Sequence, residues 1–94
     1  MSKVEHDSEK RKFYLDLAAG QGEDELSYSI KPGGIMEIHR TYVPQSQRGK
    51  GLAAIVTKAG LEYALEQELQ VLPTCPYVAA YINRHPEYKK LLTT

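Results

Sequence analysis

Apolar residues recur at two different periods along the chain, and the change of period divides it into a strand-rich first half and a helical second half. Phe13, Leu15 and Leu17 alternate with Tyr14 and Asp16, the period-two signature of a half-buried strand. Leu26, Tyr28 and Ile30 alternate in the same way with Ser27 and Ser29, so a second strand folds back on the first through a short hairpin at Gly20-Gln21-Gly22. Pro32-Gly33-Gly34 makes the next turn. Ile35 to Val43 then reads as a third strand, with Ile35, Glu37, His39, Thr41 and Val43 on one face and Met36, Ile38, Arg40 and Tyr42 on the other. The first dozen residues are polar, with Val4 the one apolar side chain after Met1, and predict only a turn at 9–12.

From Leu52 to about Leu69 the spacing becomes helical. Leu52, Ile55, Val56, Ala59 and Tyr63 fall on one stripe, while Leu61 and Leu65 form a weaker second one. Gln70 to Cys75 is short and apolar, as expected of a strand returning beside the one that ends at Val43; strand, helix, strand makes that pair parallel with a right-handed crossover. Pro76 suits the first position of a helix, Tyr77, Val78, Tyr81 and Ile82 give it an apolar face through about Arg84, and Pro86 ends it. Glu87 to Leu92 adds another helical turn or two. Antiparallel strands followed by one parallel crossover make an α+β domain of sheet and helix layers.

Composition narrows what such a domain can do. Its 94 residues, 41% of them apolar and without an internal repeat, predict a single domain over 1–94 with a modest core. Lys plus Arg equals Asp plus Glu, 12 against 12, so no net field draws the molecule to nucleic acid or an anionic membrane, and any basic site must be local. One cysteine, Cys75, excludes an internal disulfide. With no secretory h-region and no run of membrane-spanning length, the reading is a soluble cytoplasmic protein.

The chemistry concentrates between Val43 and Ala53, where a strand ends, glycines turn the backbone and a helix begins. Glycines let backbone N–H groups approach an anion, the helix N-terminus supplies unpaired donors and a partial positive charge, and Arg48 and Lys50 add full charges. Gly49-Lys50-Gly51-Leu52-Ala53-Ala54 formally matches the dinucleotide fingerprint G-x-G-x-x-A, but the hairpins before it and the forty residues after it leave no place for an extended parallel sheet. No P-loop is present, and the remaining alternative is a plain strand-to-helix turn. Cys75 falls at the carboxyl end of the returning strand and just before a helix N-terminus, facing the same crevice, where the dipole lowers a thiol pKa. His6, His39 and His85 are scattered, which argues against a metal site; His39, on the third strand, is a candidate base near neutral pH.

Four linked segments carry a resemblance: Thr41-Tyr42-Val43-Pro44, Arg48-Gly49-Lys50-Gly51-Leu52-Ala53, Pro73-Thr74-Cys75-Pro76-Tyr77-Val78 and Arg84-His85-Pro86-Glu87-Tyr88. In order and spacing they resemble the GNAT acetyltransferase superfamily, and within it the minimal single-domain acetyl-CoA-binding members, over about Val4 to Leu92. The resemblance implies a shortened GNAT fold, a mostly antiparallel sheet with one splayed parallel pair and two main helices. It further implies that acetyl-CoA is the acetyl donor and that coenzyme A enters the wedge. Backbone N–H groups of Arg48, Gly49, Lys50, Gly51, Leu52 and Ala53 would hold the pyrophosphate, and main-chain groups at Tyr42 and Val43 the pantetheine arm. Cys75 would stand beside the thioester as proton donor, base or transient acyl acceptor. The chain departs from the pattern at Ser46, where Gln or Arg is usual. It departs again at Arg40, where small members often carry His; His39 is displaced by one residue and Arg40 is a poor base.

The implied function is N-acetylation of an amine, protein and peptide amines included, by direct attack on the thioester. The helices that usually shape the acceptor site are too long for the first hairpin to contain, so that site is expected to be open or completed by a partner. The alternatives are a non-enzymatic coenzyme A or acyl-CoA binding module, and an acyl-carrier-like or interaction protein with no nucleotide ligand.

Overall fold

A computed structural model of the chain describes residues 4–17 and 22–93. Within them, strands β1 (Glu5–Asp7), β2 (Lys12–Asp16), β3 (Glu23–Lys31), β4 (Ile35–Tyr42) and β5 (Gln70–Pro73) form one sheet in that spatial order. All neighbours are antiparallel except β4 and β5, which are parallel across helix α1 (Leu52–Glu66). Helix α2 (Pro76–Arg84) follows β5, and 3-10 turns occupy Gln45–Gln47 and Pro86–Leu91. This is the α+β architecture read from the apolar periods. The hairpin turn at Gly20-Gln21-Gly22 lies outside the described residues save for Gly22, whose carbonyl accepts from Leu17 N–H at 2.9 Å.

The alternation of β2 and β3 is used as expected. Phe13 and Leu15 are buried opposite Leu26 and Asp24. Strand β1 escaped the apolar pattern because its core-facing residue is a histidine. His6 stacks on Phe13 with ring centroids 4.1 Å apart, shares a 2.5 Å hydrogen bond with the Tyr28 hydroxyl, and meets the edge of Tyr63. An aromatic body with a satisfied polar tip packs as an apolar side chain would.

Helix α1 is rotated from the predicted stripe. Ile55 is 45% exposed, while Val56, Thr57, Gly60, Leu61 and Ala64 are buried. The cause is Gly60: a Cβ there would sit 3.1 Å from Leu26 Cδ2 and 3.8 Å from Phe13 Cδ1, so the helix lies on the sheet along its glycine. Leu61, on the weaker stripe, becomes fully buried, worth on the order of 2 kcal/mol of transfer free energy. Gly60→Ala is expected to destabilise the fold by about 1 kcal/mol in denaturant melts, because the gain in helix propensity is outweighed by overpacking against the fully buried Leu26.

Strand β4 carries the second correction. Ser27 pairs with Arg40 and Tyr28 with Ile38, leaving His39 as the extra residue of a β-bulge. The bulge reverses the alternation. Met36 and Ile38 face the core, and beyond the bulge it is Thr41, opposite buried Leu26, that joins them, while Arg40 takes the side of Ser27 and Glu25. The assignment of Thr41 to the face of Glu37, and of Arg40 to the face of Ile38, fails for this reason.

Both helices share one apolar core with a single face of the sheet. The other face, with Glu23, Glu25, Ser27, Ser29, Glu37 and Arg40, has no helix over it. Beside β5, Leu92 bridges to Val71, and Thr93 N–H donates to the Val71 carbonyl at 3.2 Å. Among the described residues, no helix is long and apolar enough to cross a membrane, and no group of three or more His, Cys, Asp or Glu could hold a metal ion.

Candidate active site

The two parallel strands stay paired for only four residues. Their register runs from Ile35 opposite Gln70 to Ile38 opposite Pro73, and there β5 turns away. The Ile38 carbonyl accepts from both Thr74 N–H and Cys75 N–H, each at 3.1 Å, which closes the ladder at a fixed point. Past it, β4 continues to Tyr42 paired with β3 alone. A wedge opens between the strands.

At the wide end of the wedge lies a cavity of about 380 Å³. Thr41 and Tyr42 line it from β4, Val43 from just beyond the strand, and Tyr77 from the first turn of α2. Gln47, Arg48, Gly49, Gly51, Leu52 and Ala53 complete it from the loop and the start of α1. Of the residues singled out in the sequence, Tyr42, Val43, Arg48, Gly49, Gly51, Leu52 and Ala53 thus meet around one space. Lys50 is not in the lining; its ammonium donates to Gln47 Oε1 at 3.0 Å. Thr41, Gln47 and Tyr77 were not singled out. Tyr77 follows Cys75 by two residues at a helix start, which is the one signal that could have found it.

The loop has the backbone geometry that suits an anion. Gly49 and Gly51 hold φ of 88° and 75°, the left-handed region that side chains resist, and a Cβ at either would meet no protein atom within 4 Å. Gly51 is the N-cap of α1, makes no side-chain capping bond, and is followed by no acidic residue in the first turn. The first N–H groups of a 15-residue helix therefore open on the cavity with their dipole uncompensated. Arg48 Nε donates to the Val43 carbonyl at 3.0 Å, tying the loop to the end of the strand. A diphosphate is the kind of group that such a cradle fits.

Cys75 is the N-cap of α2 and is buried on the helix side of the wedge, its Sγ 3.5 Å from Thr41 Oγ1. Burial pushes its thiol pKa up, but the Thr41 hydroxyl and the N–H groups of Val78, Tyr77 and Thr41 stabilise the thiolate, and the net position is below the ordinary value. Cys75 is not itself in the cavity lining and touches it through Thr41. His39 and Arg40 are placed apart from it. His39 is the exposed bulge residue, and Arg40 lies over the Tyr42 ring and donates to Glu25 Oε1 at 2.8 Å.

The sequence model of a family described as GCN5-related N-acetyl-transferase matches residues 12–91. Protein NATD1 of Mus musculus is 32% identical over 84 residues, 89% of this chain and 76% of the relative. Protein NATD1 of Danio rerio is 30% identical over 88 residues, 92% and 80% of the two chains. The solution structure of a GCN5-like protein from Staphylococcus aureus superposes with a TM-score of 0.76 over 97% of this chain and 87% of that one, at 20% identity, and so shares the fold. With the family match covering most of the chain, this protein belongs to the GCN5-related N-acetyltransferases.

Proposed function

We propose that these 94 residues act as an acetyl-CoA-dependent N-acetyltransferase in which the loop from Arg48 to Ala53 holds the pyrophosphate of coenzyme A. The observation that carries this reading is the uncapped start of α1 behind Gly49 and Gly51, opening on a cavity that continues into the wedge of β4 and β5. The pantetheine arm would run along the β4 edge at Tyr42 and Val43, left unpaired once β5 departs. Acetyl-CoA supplies the activated acetyl group. The neutral amine attacks its carbonyl carbon, the C–N bond forms, the C–S bond breaks, the sulfur leaves with the electron pair and takes a proton from Cys75, and the proton shed by the nitrogen returns through solvent to the Cys75 thiolate.

Cys75 serves that departure. A buried thiol whose pKa is lowered by its hydrogen bonds is a competent proton donor to a leaving thiolate, and the Thr41 hydroxyl bonded to it can follow the charge. Cys75→Ala is expected to leave coenzyme A affinity unchanged by calorimetry and to slow acetyl transfer about tenfold. The effect falls below the roughly 10²–10⁴-fold usual for general acids because a thiolate already leaves well. Equal turnover would remove Cys75 from the mechanism, and absence of any coenzyme A binding by the wild-type chain would overturn the reading as a whole. Binding without turnover over a panel of amines would favour the binding-module alternative.

A further inference from the structure

Thr74 and Cys75 are adjacent and share the Ile38 carbonyl, yet their side chains sit on opposite faces of the sheet. Cys75 is buried on the helix side; Thr74 is exposed on the uncovered side, where its hydroxyl donates to Glu37 Oε2 at 3.0 Å across the point at which the strands part. The wedge therefore has two different walls. On the helix side the cavity is the space proposed for coenzyme A, so the open sheet face is the approach left to an acceptor.

The residue waiting there is a carboxylate with one oxygen fixed and the other turned to a cation. Glu37 Oε2 is held by Thr74, and Glu37 Oε1 receives the Lys31 ammonium at 3.2 Å. Lys31 stands at the end of β3 before the turn, with a side chain 48% exposed against 21% for Glu37. An exposed pair of that kind is weak and readily exchanged. Two other acids of the open face are engaged by cations of the strands themselves, Glu25 by Arg40 at 2.8 Å and by Lys12 at 3.6 Å, and Glu23 by Lys12 at 3.2 Å.

Resting on the proposed acetyl-CoA chemistry, we infer that Glu37 and Thr74 form a subsite for a second cationic group of the acceptor, and that the Lys31 ammonium occupies it until the acceptor arrives. The acceptor class is thus an alkyl diamine or a peptide with two nearby cations, one amine reacting in the wedge while the other is seated on Glu37. Glu37 is a positioning residue in this scheme and takes no proton. The Thr74 hydrogen bond first, and Lys31 second, hold its carboxyl below the usual range, so it stays ionised wherever the amines are cationic.

The test compares a short linear diamine with the monoamine of equal chain length, in turnover with acetyl-CoA and in amide NMR titrations of the full chain without it. Wild-type protein is expected to prefer the diamine, mainly through KM, and to show diamine shifts at the Thr74 and Ile38 amides. Glu37→Gln is expected to reduce the diamine preference roughly tenfold and to remove those shifts, as a lost charge-assisted contact would. Lys31→Ala should lower the diamine KM, and Glu66→Gln, at the far end of α1, should change neither readout. An unaltered preference in Glu37→Gln, or no diamine shifts in wild-type protein, would overturn the subsite. Coenzyme A shifts at Gly49 to Ala53 in the same samples report separately on the nucleotide site.

Discussion

Gly51→Val is expected to weaken coenzyme A binding about a hundred-fold while leaving the fold intact, measured by calorimetric titration with a circular-dichroism melt as control. Gly51 holds φ 75° at the N-cap of α1. A β-branched residue in the left-handed region costs ~1–3 kcal/mol, so the loop relaxes to another conformation, and the ligand must restore the strained one to bind. Because open space lies in front of the position, the new side chain also stands where the anion would approach. His6→Ala, at the opposite end of the sheet, is the contrasting variant: it should lower stability through lost stacking on Phe13 and leave affinity unchanged. Equal effects of the two substitutions on affinity would count against the placement of the pyrophosphate.

The second large effect is a pH dependence of stability set by Asp24. Its side chain is fully buried on the core face of β3, opposite Leu15, and neither carboxyl oxygen has a hydrogen-bond partner in the described residues. Burial pushes its pKa up to about 6. A folded-state value raised above the unfolded one means that the native protein binds the extra proton. The associated stability is fully present below about pH 4 and is lost as pH rises through about 6, to a limit on the order of 3 kcal/mol. His6 opposes this over part of the range, since burial lowers its pKa and the cost of charging it appears on acidification. The difference between wild type and Asp24→Asn isolates the carboxyl. Urea midpoints of the two should converge toward pH 4, with the variant gaining at pH 7.5, and parallel profiles would refute the assignment.

The order of elements was legible because most strands and helices use ordinary apolar side chains at ordinary spacing. Pro76 and Pro86 bracket α2 as proline geometry requires, and the helix runs Pro76–Arg84. What stayed hidden depended on residues whose class misstates their use. His6 and Asp24 face the core although histidine and aspartate read as polar, and Gly60 draws α1 onto the sheet although a glycine contributes nothing to a hydrophobic stripe. In the candidate site the glycines and charges of the loop were readable, since backbone conformation and helix termini leave local marks. Thr41 was not, because a bulge is decided by the pairing of two strands and has no signature in either one.

That bulge gives β4 a parity. Between Ile38 in the core and Thr41 beside Cys75 lie two residues, where strict alternation would place one or three. Removing His39 alone would leave one residue between them, so plain alternation would keep Thr41 on the core face and Tyr42 on the open one, whereas drawing His39 into the ladder without the bulge would exchange the two. Substitution at residue 39 is cheap by this reasoning, since the side chain is exposed, and it is the extra residue itself, not its side chain, that lets two residues separate Ile38 from Thr41 on the wall of the cavity. Among descendants of this chain, residue 39 should therefore tolerate both substitution and loss, while Thr41 keeps the face of Ile38 in either case.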